Sequence, residues 1–312
     1  MDKEQKKIFR RILGIFFLKF FYFLNGLLPL KVNYFLGKIF GSLAYLVVAK
    51  HRRVALNSLS IAFPNLSIKE KKEIARQFFV FMSQSSFELI YFLKNNSALE
   101  NVSFKDKKYL DEALSEKKGV ILLTAHFGNF PLLSLKLAKE GYIVNFVTRP
   151  MRDKNVGDYL YKLRTKAGVK TIFSYPRRQC VFEIIKALRN NEIVIMQMDQ
   201  NFGTGGVWVK FFGKLAATPT GPVTLAIHTS SVIVPAYIYR ESFGRHIIKF
   251  FPKQSLLIKE NKHETVILNI ARFTKMIESW ISEYPEQWGW IHRRWKSRPS
   301  KTIEQLKFKI EQ

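Results

Sequence analysis

Between residues 119 and 239 the chain alternates short, β-branched apolar runs with longer stretches of helical periodicity, and no other feature restricts its fold as strongly. The runs at 119–124, 143–148, 193–198 and 232–239 read as strands, and the segments at 131–140, 156–167 and 178–190 read as helices between them. Strands that are apolar throughout must be covered on both faces, so the pattern predicts an α/β fold: a mixed sheet flanked by helices. With 312 residues, 47% of them hydrophobic, the chain can build one large domain of this kind plus an attached helical segment. From Leu66 a helical pair is expected. Ser67 and Glu70 have the spacing of a capping box, and Ile74, Phe78, Phe81 and Met82 recur at core-forming intervals. There is no internal repeat and no low-complexity linker.

The N-terminal part has a different chemistry. Residues 12–30 (ILGIFFLKFFYFLNGLLPL) are apolar and aromatic except for Lys19, Asn25 and Gly26. That length approaches the roughly 20 residues that cross a bilayer core. No small-residue cleavage site follows, so the segment is expected to be retained as a helical membrane anchor. Lys3, Lys6, Lys7, Arg10 and Arg11 precede it; a second apolar stretch, 33–49, ends in Lys50, His51, Arg52 and Arg53. Cations at both ends resist translocation, which favours a hairpin or a shallow interfacial anchor and a main domain on the cytoplasmic side. The division expected is therefore an anchor over 1–50 and a second unit over 51–312.

The chain carries 51 Lys and Arg against 24 Asp and Glu, a net charge of +27, so an anionic partner is implied: nucleic acid, anionic lipid or an acidic carrier protein. Neither a zinc spacing nor a nucleic-acid-binding motif is present, so no nucleic acid is expected. Cys180 is the single cysteine, which excludes an intramolecular disulfide and reads as a buried, inert thiol. The six histidines are scattered and form no His-Glu-x-x-His, so neither a metal nor another cofactor is expected.

One histidine stands where chemistry is done. The strand at 119–124 runs into Ala125-His126-Phe127-Gly128-Asn129-Phe130-Pro131 and then into a helix. Active sites of open α/β sheets lie just beyond strand ends, Gly128 permits close backbone approach, and the helix start offers amide donors near an oxyanion. Arg149, after the strand at 143–148, suits a phosphate or a donor thioester, or is a plain surface arginine. Asp199-Gln200 follows the strand at 193–198, where an aspartate can also simply cap a turn. Trp288, Trp290 and Trp295, interleaved with His292, Arg293, Arg294 and Lys296, suit a membrane surface with phosphate head groups.

Along nearly its whole length the sequence resembles the lipid A biosynthesis acyltransferases, the late lauroyl and myristoyl transferases within the wider lysophospholipid acyltransferase group. The matching pieces, in order, are Arg53-Val-Ala-Leu-Asn57, Ala62-Phe63-Pro64, His126-Phe127-Gly128-Asn129, Arg149-Pro150, Asp199-Gln200, Lys210-Phe211-Phe212-Gly213 with Ala217-Thr218, and the segment from Pro285 to Trp295. The resemblance implies a glycerolipid acyltransferase-like fold. It also implies transfer of a fatty acyl group from acyl carrier protein to a hydroxyl of a phosphorylated glycolipid or lysolipid, at a bacterial inner membrane with the catalytic domain facing the cytoplasm.

On the same basis His126 is the expected general base, and Phe127, Gly128, Asn129, Arg149, Gln200, Phe212, Gly213 and Thr218 are expected around the substrates. In the family an acid five residues after the histidine orients the imidazole, whereas here that position is Pro131. One substitute is another acid, with Asp199 the first candidate and Glu88 the second. The alternatives are a backbone carbonyl or water on the ring, a non-catalytic lipid-binding protein, or an acyl-ester hydrolase. The last lacks any Gly-x-Ser-x-Gly elbow.

Overall fold

A computed structural model of the chain describes residues 3–299; the side chains of Lys3, Lys6, Lys7, Arg10 and Arg11, and residues 300–312, lie outside that description. Four α-helices precede the first strand: α1 (Lys3–Leu27), α2 (Leu30–Val47), α3 (Ala49–Ala62) and α4 (Ile68–Lys94). The capping box is present: the Glu70 N–H donates to Ser67 Oγ at 3.2 Å and the Ser67 N–H to Glu70 Oε2 at 2.7 Å. The expected helical pair is instead the single 27-residue α4, which contains no glycine or proline to break it. Its buried seam runs Phe78, Phe81, Ser85, Glu88, Phe92, and Met82, expected in the core, lies beside that seam and is exposed.

Helix α2 packs along α4 through Gly37 and Gly41. A Cβ on either would lie within 2.8 Å of an α4 backbone atom, so only small residues allow this approach. Phe16, Phe20, Phe23 and Leu27 of α1 and Phe35, Leu43, Leu46 and Val47 of α2 remain exposed. Among the described residues no single helix is long and apolar enough to cross a membrane; α2 and α3 reach that composition only together, across a bend of 88°.

The α/β part follows as β1 (Val102–Lys105), α5 (Lys108–Ser115), β2 (Val120–Thr124), α6 (Phe130–Lys139), β3 (Val144–Thr148), α7 (Lys154–Lys166), β4 (Val169–Phe173), α8 (Arg177–Arg189) and β5 (Ile193–Gln197). It continues through β6 (Val207–Phe211), β7 (Lys214–Thr218), α9 (Gly221–Thr229), β8 (Val232–Ser242), β9 (Arg245–Phe250) and α10 (Lys262–Glu283). Seven strands form the main sheet in the order β1-β9-β8-β2-β5-β3-β4, parallel except for the β8–β9 pair. The mixed sheet flanked by helices is thus as the sequence predicts, with β1, β4, β9 and the separate β6–β7 hairpin in addition.

Strand β2 is buried at every position, and its alternate residues feed two cores. Ile121 and Leu123 meet α8, α9 and α10, while Val120 and Leu122 meet α5, α6 and Phe92 of α4. Cys180 is buried in the first of these, and burial pushes its thiol pKa up, which keeps it inert.

Candidate active site

Strands β2 and β5 are parallel neighbours, with Thr124 opposite Gln197. Two residues further along each strand come His126 and Asp199, so the register alone delivers the two side chains to the same sheet edge. There Asp199 Oδ1 accepts from the His126 backbone N–H at 3.0 Å and lies 2.9 Å from His126 Nδ1. Its other oxygen, Oδ2, accepts from Trp288 Nε1 at 2.8 Å. Asp199 is 2% exposed, whereas the imidazole side chain keeps 29% of its surface.

Burial by itself raises the Asp199 pKa. The His126 ring, the Trp288 N–H and the His126 amide outweigh it and hold the carboxyl at about 2. An ionised carboxylate on Nδ1 favours the tautomer with its proton there, leaving the Nε2 lone pair at the exposed edge. Among the described residues no hydrogen bond engages Nε2. The arrangement is an oriented, half-exposed base of the kind that removes a proton from a bound hydroxyl.

The loop carrying His126 is held from behind. The Gly128 N–H donates to the Gln287 carbonyl at 2.8 Å, and Phe127 pairs with Trp288 in an antiparallel bridge. Gly128 has φ +59°, and a Cβ there would sit 1.9 Å from the Ile238 carbonyl oxygen, so no other residue fits. Pro131 occupies the first turn of α6, where its lack of an N–H costs nothing.

Several expected substrate contacts have other partners. Phe127 is buried edge-on against Tyr237. Asn129 is buried, and its Nδ2 donates to Ser85 O at 3.0 Å and Glu88 Oε2 at 3.3 Å. Thr218 is fully buried; its Oγ1 donates to Ala216 O and accepts from Arg294. Phe212 and Gly213, at φ +48° and +73°, form the two-residue turn of the β6–β7 hairpin.

Arg149, by contrast, is exposed at the carboxyl end of β3, the next strand beyond β5. Gln200 follows Asp199 and is half-buried. Glu88 does not reach His126. Its Oε2 takes Arg240 Nη2 at 2.6 Å and lies 3.3 Å from His246 Nε2; burial raises its pKa, and the Arg240 guanidinium with the His246 ring brings it down to about 2.

The tryptophan-rich segment, expected at a membrane surface, is interior. Trp288, Trp290 and Trp295 are at most 5% exposed and Arg294 is fully buried. The Trp290 and Trp295 indoles donate to the carbonyls of Pro285 and Phe211, and Arg294 donates to those of Ala217 and Gln200. Burial lowers the Arg294 pKa to about 10 against the raising effect of Asp199, so it stays charged at neutral pH. The segment thus walls the site. Trp288 as a donor to Asp199 and His292, whose Nε2 accepts from the Asn201 N–H at 2.9 Å, had no separate signal in the sequence beyond the motif itself.

The family model for bacterial lipid A biosynthesis acyltransferase matches residues 2–297. The lipid A biosynthesis lauroyltransferase of Escherichia coli K12 is 25% identical over 285 residues, 87% of this chain and 88% of that protein. The palmitoleoyltransferase of the same organism is 24% identical over 281 residues, 87% of each. A phosphatidylinositol mannoside acyltransferase of Mycobacterium tuberculosis is 26% identical over 137 residues, 44% of this chain and 43% of that one. A solved 1-acyl-sn-glycerophosphate acyltransferase from Thermotoga maritima matches at 14% identity and a TM-score of 0.34, covering 79% of this chain and 98% of that one. With a family model matching almost end to end around an oriented histidine, the chain belongs to the bacterial lipid A biosynthesis acyltransferases.

Proposed function

We propose that this acyltransferase moves a fatty acyl chain from acyl carrier protein to a hydroxyl of a lipid A precursor or related glycolipid, at the cytoplasmic face of a bacterial inner membrane. The observation that carries the mechanism is the 2.9 Å contact of His126 Nδ1 with buried Asp199. His126 Nε2 removes the proton from the acceptor hydroxyl as its oxygen attacks the thioester carbonyl. The tetrahedral intermediate then expels the carrier thiolate, and the imidazolium returns the proton to that sulfur. No covalent enzyme intermediate is needed. Asp199 holds the ring's tautomer and stabilises the imidazolium, the part that an acid at position 131 would play.

A net charge of +27 supports an acidic carrier and an anionic surface. The exposed apolar side chains of α1 and α2 support interfacial anchoring. The carboxylate on the imidazole, where Pro131 supplies none, supports catalysis over a purely lipid-binding role.

The test supplies detergent-solubilised protein with labelled acyl carrier protein and a panel of lipid hydroxyl acceptors, comparing wild type with His126→Ala. Transfer that disappears in the variant is expected. Wild type that transfers to no acceptor, releases only free fatty acid, or works equally well without His126 sinks the proposal.

A further inference from the structure

A cleft of about 700 Å³ opens between α3 and the C-terminal segment, and neither His126 nor Asp199 lines it. Its size is that of a small-molecule site. Lys50 and Arg53, one turn apart at the start of α3, face Arg293 and Lys296 across it, and no acidic side chain joins them among the described residues. Among the described residues these four cations make no ion pair. Neighbouring Arg52 shows the contrast: its Nη1 donates to the Tyr45 and Leu46 carbonyls at 2.6 and 2.8 Å. The start of α3 has no side-chain cap, which adds positive partial charge at the same end of the cleft.

A second observation points the same way. Arg294 also lines the cleft and is fully buried, yet its Nε has no hydrogen-bond partner among the described residues. Its Nη atoms donate to the Ala217 and Gln200 carbonyls and to Thr218 Oγ1, and among the described residues no carboxylate forms an ion pair with it, so its charge adds to the positive field of the cleft. Arginine forks suit the oxygens of a phosphate. Trp295 gives the cleft an apolar wall, which a sugar or acyl-bearing headgroup can cover. A concave site of this volume fits a headgroup, whereas docking of a carrier protein needs a broad face.

Resting on the acyl-transfer reading above, we infer that this cleft holds a phosphate of the glycolipid acceptor and so decides which hydroxyl reaches His126. The segment that lines the cleft through Arg293–Lys296 also brings Trp288 to Asp199 and Arg294 to the Gln200 carbonyl, so the two sites share one wall.

The test measures KM and kcat of the full-length enzyme for an acceptor with its phosphate and for the same acceptor after phosphatase treatment. Removal of the phosphate is expected to raise the wild-type KM about tenfold. Arg53→Ala, and separately Arg293→Ala, should raise KM about tenfold for the phosphorylated acceptor only. Equal KM for both acceptors in wild type, or variants that raise both alike, overturn the inference. So does a KM change confined to the acyl donor, which assigns the cleft to the carrier.

Should no acceptor be acylated, tryptophan fluorescence decides binding separately from catalysis. Saturable binding of phosphorylated glycolipid micelles is expected, weakened about tenfold in Arg53→Ala and by about 1 M salt. Binding indifferent to Arg53→Ala overturns the inference, as does inorganic phosphate binding as tightly as the glycolipid.

Discussion

Replacing Asp199 by asparagine keeps the side chain's volume and removes its charge, in a place where three donors converge on two oxygens. Oδ1 receives the His126 amide and Nδ1, and Oδ2 receives the Trp288 indole. Asparagine has one acceptor oxygen. Turned towards His126, it sets its NH₂ against the Trp288 N–H; turned the other way, it sets the NH₂ against the His126 amide and pushes the imidazole proton to Nε2, where it blocks the base. Each orientation strands a buried donor, which costs about 1–3 kcal/mol of stability. The wrong tautomer removes general base catalysis, normally a factor of about 10²–10⁴.

The charge itself adds to this. The folded carboxyl titrates at about 2 against an ordinary 3.8, which corresponds to about 2 kcal/mol in favour of the folded state. Because the folded value is depressed, this stabilisation is complete above about pH 4 and is lost as pH falls towards 2. Asp199→Asn is therefore expected to lose about 10²–10⁴ in kcat and to melt a few degrees lower at pH 7. Its melting temperature should also fall less steeply than wild type between about pH 4 and 2. Initial rates of acyl transfer and circular-dichroism melts check both. A folded Asp199→Asn enzyme within threefold of wild-type kcat would refute the orienting role of the carboxylate.

Trp288→Phe keeps the ring but removes the N–H on Asp199 Oδ2; about tenfold lower kcat is expected, with a smaller stability loss than Asp199→Asn, measured in the same assays. Gly128→Ala forces a Cβ to 1.9 Å from the Ile238 carbonyl at φ +59°, so chemical denaturation should show a loss of more than about 2 kcal/mol, with activity falling alongside it. Glu88→Gln leaves the buried Arg240 guanidinium without its counter-charge and should destabilise by about 3–5 kcal/mol in urea unfolding. Wild-type stability in Glu88→Gln would show that the buried cluster contributes nothing net.

The strands at 120–124, 144–148 and 193–197, the helices between them, the capping box of α4 and the place of His126 just past a strand end were all legible in the sequence. These are local matters: side-chain periodicity and cap chemistry act over a few residues and need no knowledge of neighbours. The motifs from Arg53 to Trp295 carried the family in the same way, residue by residue. Short strands such as Val102–Lys105 and Val169–Phe173 are not legible in the sequence, because four or five residues with mixed burial carry little periodicity.

What the tertiary structure alone decided is which distant groups meet. Asp199 is 73 residues from His126, and it meets the imidazole because β5 lies beside β2 in parallel register. Strand order is set by how the crossover helices pack on the sheet, and no local pattern encodes it. The same limit explains the tryptophans: an indole amid arginines has the composition of a membrane interface. Only the folding of that segment against β6, β7 and the His126 loop buries Trp288 and aims its N–H at Asp199.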